Sequence, residues 1–422
     1  MRSVYLDHAA TSPLLPEVKA KMLEVMDLEL GNASALHRPG HSAKRIIDDA
    51  REQVARLINA SPEEIIFTSG GSESNNTVIN IFRDQKITTS AIEHPSILEP
   101  ARKFAKELVL LEVDKYGFIQ VDDIPHDTDL VSVMFANNEL GTIEPVADIV
   151  KHVHSKVAPL KSEQNNVHFG QNQNTPVWVS RRQELRKLSE ATRHRTYVHT
   201  DATQAIGKVK LDVRQLDVDY LTFSAHKIGG PTGIGVLYVK KDSPYRPLIY
   251  GGHQENQRRA GTMNTIAIAG LGTAAKWAWD NWSCRQYEKV AILRDKLRER
   301  ILAEVPYSSV NSPVEKCLPN LLNMSFQAAE GESIQLYLDV EGVIVGTGSA
   351  CAAGDIKPSH VLMAARHDAE VAHSSIRFSL GLNTTEADIE RVMTVLPAIV
   401  KRLQGISTVQ VADVVNAEHN NE

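Results

Sequence analysis

The sequence predicts an α/β protein: a mostly parallel sheet with helices on both faces, joined to a second, smaller α/β part. Three observations predict it. Short apolar runs of strand length, such as Glu64–Thr68, Lys86–Ser90, Leu108–Val113 and Leu130–Ala136, alternate with helical patterns, as in parallel sheets buried on both faces. Polar residues recur at or just beyond the ends of these runs, at Ser72, His94, Asn138, Asp201 and Lys227, where open α/β sheets bind ligands. Long helices then follow Val239 before short strands return, which marks the smaller part from about Arg259 onward.

Composition narrows the functional classes. A chain of 422 residues, 42% hydrophobic, is long enough for one large and one small core. A net charge of −6 argues against a nucleic-acid partner held by bulk electrostatics. No apolar run approaches the roughly 20 residues of a membrane span, and the start, Met-Arg-Ser-Val-Tyr-Leu-Asp, has no apolar signal core. Cys284, Cys317 and Cys351 are too scattered for a disulfide framework or a zinc site, which points to a reducing cytoplasm.

Taken in order, Tyr5–Pro13 leads into an amphipathic helix over Pro16–Leu30, and a second helix covers about Ser42–Ile58. The strand Glu64–Thr68 opens into Ser69-Gly70-Gly71-Ser72. Glycines and a hydroxyl at a helix start make either an anion cradle or an ordinary helix cap, but not a nucleotide P-loop, because Gly-Lys-Ser/Thr is missing. The alternation breaks over 155–195. There a Gln/Asn-rich stretch and a basic segment read as a solvated excursion, with a docking surface for an acidic partner as the alternative. Helices are expected over Thr265–Trp279 and Tyr287–Glu304, a strand over Leu321–Phe326, a helix over Ser333–Val340 and a strand over Gly342–Gly346. The polar tail 418–422 is expected to fray.

The chemistry concentrates in Ser224-Ala-His226-Lys227 and in Asp201-Ala-Thr-Gln204. A lysine at a strand end, beside small donors and a Gly-rich turn, suits a carbonyl cofactor held as a Schiff base; alone it reads equally as a surface lysine. Asp201, ending a β-branched run upstream, supplies the counter-charge a pyridinium nitrogen needs, and together the two stretches read as a pyridoxal phosphate site. Cys351 lies among small residues in Gly348-Ser-Ala-Cys351-Ala-Ala-Gly354, a setting for an accessible nucleophile or for a small buried thiol. Cys284 and Cys317 have no such setting. Arg377, in the apolar stretch Ser375-Ile-Arg377-Phe, wants a bidentate anion, either a substrate α-carboxylate or an internal acid.

The ordered set Tyr5-Leu-Asp-His-Ala-Ala-Thr, Phe67-Thr-Ser-Gly-Gly-Ser-Glu-Ser-Asn, Glu93-His94, Asn137-Asn-Glu139, Asp201-Ala-Thr-Gln204, Ser224-Ala-His-Lys227, Gly251-Gly-His-Gln-Glu, Arg259-Ala-Gly-Thr262, Gly348-Ser-Ala-Cys351 and Ser375-Ile-Arg377-Phe resembles the cysteine desulfurases of the class V aminotransferase family. The likeness spans nearly the whole chain outside 155–195, and the Cys351–Pro358 spacing resembles the long-loop group rather than the short-loop group that includes selenocysteine-lyase-like members. It implies a fold-type I transferase with a mostly parallel seven-stranded sheet in a large domain (15–258), a small C-terminal domain (259–422), and an N-terminal segment (1–14) packed on the latter. It further implies that Lys227 bonds pyridoxal 5'-phosphate and shuttles protons, Asp201 pairs with the ring nitrogen, Gln204 with the ring hydroxyl, and His94 stacks on the ring as an acid/base. Gly71, Ser72, Ser224 and His226 would hold the phosphate, with Thr262 joining from the second subunit of a homodimer; Asn138 and Arg377 would take the substrate carboxylate. Cys351 would accept sulfur from L-cysteine as a persulfide, releasing alanine, and pass it to an acceptor protein for iron–sulfur assembly, tRNA thiolation or cofactor biosynthesis. A transaminase or lyase of the same fold would keep Lys227 and Asp201 without needing Cys351, and an idle sulfur-transfer scaffold would need neither Lys227 nor Cys351.

Overall fold

The computed structural model describes residues 3–155, 195–283, 285–347, 358–365 and 367–407. Cys284, the segment 156–194, the stretch 348–357 with Cys351, and the tail beyond 407 lie outside the described residues. In chain order the strands are β1 (Val4–Tyr5), β2 (Ile65–Thr68), β3 (Lys86–Ser90), β4 (Glu107–Leu111), β5 (Leu130–Ser132), β6 (Tyr197–Asp201), β7 (Tyr220–Ser224), β8 (Gly235–Val239), β9 (Ser308–Val310), β10 (Leu321–Phe326), β11 (Val343–Ile344) and β12 (Ser375–Ser379). The helices used below are α1 (Pro16–Met26), α2 (Arg38–Ile58), α3 (Gly71–Ile81), α4 (Pro95–Phe104), α5 (Thr265–Ser283) and α6 (Gln286–Glu304).

The main sheet has seven strands in the order β2-β8-β7-β6-β5-β3-β4. Among the described residues only β8 runs against its neighbours in this sheet, since β7 turns directly into it through the Gly-rich stretch after Lys227. All other pairings in this sheet are parallel, as the apolar runs buried on both faces require. β6, β7 and β8 are buried along nearly their whole length, which is why their polar residues face either each other or the site. A three-stranded antiparallel sheet, β12-β10-β9, forms a second layer. β1 adds in parallel to β11, placing Val4 against Val343 and Tyr5 against Ile344.

Two cores lie on the faces of the main sheet, and a third joins α6, β10, β12 and the N-terminal Val4 and Leu6. Helix α5 packs on α1 and α2, and its Ala267, Ile268 and Leu271 belong to a core of the main sheet. The boundary expected at 259 therefore leaves this helix with one part in sequence and with the other in packing.

Several boundaries move for local reasons. α2 starts four residues earlier than its apolar pattern suggests, because the His37 ring accepts from Gly40 N (3.2 Å) and Pro39 suits the first turn. α1 stops at Met26, where Asp27 N closes on Leu23 O. The expected strand Leu130–Ala136 ends at Ser132 on its β3 side, where Met134 N donates to the Glu93 carboxylate (2.8 Å), while Val133 N and Phe135 N still donate to the His199 and Asp201 carbonyls of β6 (3.1 and 2.8 Å). α5 runs on to Ser283, past the expected Trp279.

Candidate active site

Strand ends build the site. β2 delivers Ser69 and Gly70 to the first turn of α3, so the unpaired N–H groups of that turn and its dipole meet at one spot. The close approach depends on glycine at 235: a Cβ there would stand 2.6 Å from the Cα and carbonyl carbon of Gly70. β6 ends in Asp201, β7 ends in Ser224, and the tight turn after β7 carries His226 and Lys227. His94 caps α4, its Nδ1 accepting from Ser96 N (3.1 Å). Arg377 comes from β12 in the second layer.

These side chains converge. A cavity of about 540 Å³ is lined by Gly71, Ser72, His94, Asn138, Asp201, Gln204, Ser224, His226, Lys227 and Arg377 among others. Thr262 is exposed and away from it, on the connection before α5.

Asp201 is 8% exposed and held by two donors: Thr203 N gives to Oδ1 (2.9 Å) and Asn75 Nδ2 to Oδ2 (2.7 Å). Asn75 in turn reaches Ser96 Oγ (2.9 Å), tying Asp201 to the His94 cap. Lys227 Nζ donates to the carbonyls of Ala9 (2.6 Å) and Ala10 (2.8 Å), and Gln204 Nε2 shares the Ala9 carbonyl (2.9 Å). His226 Nδ1 meets Thr11 Oγ1 (3.1 Å). Arg377 is 4% exposed; its Nη2 donates to Asp7 Oδ1 (2.8 Å) and its Nη1 to the Asn138 carbonyl (3.1 Å). The internal acid considered for Arg377 is thus present, while the guanidinium still lines the cavity.

Burial tunes the ionisable groups. His226 is pushed down to about 4, chiefly by desolvation, then by the positive charges of Lys227 and Lys208. His94 is also lowered by burial, against the opposing pull of Asp201. Beneath them the Glu93 carboxyl is pushed up to about 8 by complete burial, and Glu139 to about 7. Both ring histidines facing the cavity are therefore neutral near pH 7, ready to accept a proton or to answer an incoming anion.

The donor set fits pyridoxal phosphate. An amine, a carboxylate fixed by two donors, a helix start without side chains and a serine hydroxyl line one cavity. Thr203 Oγ1 and Asn75 Oδ1, both buried on its wall, have no hydrogen-bond partner among the described residues. Sequence reasoning missed Asn75, Thr203, Asp7 and the Ala9–Ala10 carbonyls. Asn75 had a signal, lying one helical turn past Gly71; backbone carbonyls carry none.

The family model for class-V aminotransferases matches residues 4–161 and 159–392. The chain is 40% identical over 419 residues to the cysteine desulfurase IscS of Dictyoglomus turgidum, covering 96% of both chains. It superposes on a NifS-like protein from Rickettsia africae with a TM-score of 0.78 at 30% identity, covering 95% of this chain and all of the other. A structure of SspA in complex with cysteine gives a TM-score of 0.69 at 29% identity over 91% of this chain and 100% of that one.

Proposed function

The chain belongs to the class-V aminotransferase family and, within it, to the cysteine desulfurases, and on that footing we propose that it moves sulfur from L-cysteine onto Cys351 and releases L-alanine. The observation that carries the reading is the single cavity shared by Lys227, Asp201, His94 and Arg377 in a chain of this ancestry.

Lys227 would bond the pyridoxal phosphate carbonyl, Asp201 would face the ring nitrogen, Gln204 the ring hydroxyl, and His94 the ring. Gly71, Ser72, Ser224 and His226 would hold the phosphate, with Thr262 contributed by the second subunit of a homodimer. Bound there, the cofactor supplies an electron sink that acidifies the α-proton of an amino acid and weakens its carbon–sulfur bond.

The chain's own groups do the rest. Asp201, its other lone pairs engaged by Asn75 and Thr203, offers a fixed negative charge to a ring N–H. Lys227 would act as the base for the α-proton, and the Ala9 and Ala10 carbonyls would receive its ammonium form. Arg377 and Asn138 orient the α-carboxylate. The Cys351 thiolate attacks the substrate sulfur; an S–S bond forms, the C–S bond breaks, and its electron pair stays on carbon, which is protonated to alanine. The sulfur remains as a Cys351 persulfide for an acceptor protein, as in iron–sulfur cluster assembly, the typical role of such enzymes, with tRNA thiolation and cofactor biosynthesis as the other destinations.

The same proposal divides the chain into an N-terminal segment (1–14), a large part (15–258) and a smaller one (259–422), working in the cytoplasm. Among the described residues no helix is long and apolar enough to cross a membrane. Sulfide and alanine released from L-cysteine with a thiol reductant test the reading. Equal amounts are expected from the wild type and neither from Cys351→Ala, which should still carry the cofactor absorbance. A fully active mutant, or sulfide without alanine, overturns it in favour of a transaminase or lyase.

A further inference from the structure

Arg377 meets the cavity already paired. Asp7 reaches its Nη2 from the far side, at 2.8 Å, and is not itself among the residues lining the cavity. The pair is mostly withdrawn from solvent, with side chains 5% and 17% exposed. Nη1 is committed to the Asn138 carbonyl, and the buried Nε has no partner among the described residues. The backbone fixes both partners: Arg377 and Gly346 exchange N–H···O bonds of 2.8 and 3.0 Å, and Asp7 bridges to Ser379 two residues along β12. Gly346 closes the third side, since a Cβ there would stand 2.7 Å from both Asp7 Oδ1 and Arg377 Nη2.

A guanidinium pinned in this way keeps one orientation, but it faces an incoming carboxylate with much of its charge already offset. Two carboxylates sharing one cation repel each other, so the second binds more weakly than it would to a lone arginine. We propose that Asp7 is a positioning and specificity residue for the substrate carboxylate, orienting Arg377 and weakening its hold so that alanine, which keeps the same carboxylate, departs. The inference rests on reading Arg377 as the carboxylate's partner.

Asp7→Asn tests it, because an amide oxygen can still accept from Nη2 while the charge is gone. Holoenzyme is titrated with L-alanine and with ethylamine, which has no carboxylate, and half-saturation is read from the cofactor absorbance. In Asp7→Asn, alanine should bind about tenfold tighter or more, ethylamine should be unchanged, and Asp7→Glu should move alanine back toward the wild type. Equal shifts for both ligands, or no tightening for alanine, overturn the proposal. Arg377→Ala separates the two readings. If it keeps the preference for alanine over ethylamine, the role of Arg377 itself fails; if it loses the preference while Asp7→Asn changes nothing, only the role of Asp7 fails. Should Asp7→Asn not fold, Gly346→Ala wedges the same pair apart: altered alanine binding with unaltered ethylamine binding supports the proposal, and unaltered alanine binding overturns it.

Discussion

Glu93, one residue before His94, is fully buried beneath the site, and its replacement by Gln isolates the cost of that burial. Its Oε1 accepts from Ser90 Oγ (2.7 Å) and from Met134 N (2.8 Å), whereas Oε2 has no partner among the described residues. Desolvation, with a smaller contribution from Asp201, raises the carboxyl from 4.5 to about 8. Between those two values the folded protein keeps a proton that the unfolded chain releases, so stability falls as pH rises through the window. At about 1.4 kcal/mol per tenfold in proton affinity, the full loss amounts to a few kcal/mol by pH 9. Gln keeps the Oε1 acceptor and cannot ionise; its buried amide costs about 1–3 kcal/mol, but equally at every pH. Urea midpoints at pH 6 and pH 9 give the comparison. Glu93→Gln should be level with or below the wild type at pH 6 and should gain on it by a few kcal/mol at pH 9. Glu139, also raised by burial, titrates in both proteins and cancels in the difference; Glu144, which the Glu93 charge helps to raise, is relieved of that repulsion in Glu93→Gln, which adds to the gain at high pH. A gap between the two proteins that stays constant from pH 6 to pH 9 would refute the reasoning.

Further outcomes follow from other contacts. Glu255, with a side chain 2% exposed, accepts from Arg51 Nη1 and Nη2 (3.0 and 2.5 Å) and from Phe67 N (2.9 Å). Glu255→Ala should therefore cost about 3–5 kcal/mol in a denaturant melt, by leaving a mostly buried guanidinium uncompensated. Gly235→Ala should push Gly70 out of place and speed loss of the cofactor, seen as falling absorbance on dialysis, with less effect on the melt. His226 is held at about 4 by burial and by Lys227 and Lys208; a phosphate beside it should raise it, so apoenzyme affinity for pyridoxal phosphate should strengthen as pH falls toward 4. His226→Gln should flatten that dependence in an equilibrium binding titration.

The sequence was legible where chemistry requires particular atoms at strand ends. Asp201, Ser224, His226 and Lys227 announce themselves because polar residues terminate apolar runs, and β6 and β7 hold them side by side in the sheet. The mostly parallel sheet followed from the alternation of elements, whereas the strand order and the reversal of β8 emerge only from the structure. What stayed hidden depends on long-range pairing. Nothing local to Tyr5–Thr11 says that its carbonyls receive Lys227 and Gln204, or that Asp7 finds Arg377, 370 residues away. The early end of β5 was equally unreadable, because it depends on Met134 N choosing the Glu93 side chain over β3. Helix α5 misleads for a related reason: its position in the chain follows the large part, yet its small residues suit close packing on α1 and α2.

The central claim is that substrate sulfur comes to rest on Cys351. Mixing holoenzyme with one equivalent of L-cysteine and no reductant, then alkylating, digesting and weighing the peptides, tests it most directly. The account predicts that the Cys351 peptide gains the mass of one sulfur atom in step with alanine formed, while the Cys317 peptide is unchanged. Alanine formed with sulfur on no cysteine, or on Cys317, would contradict it.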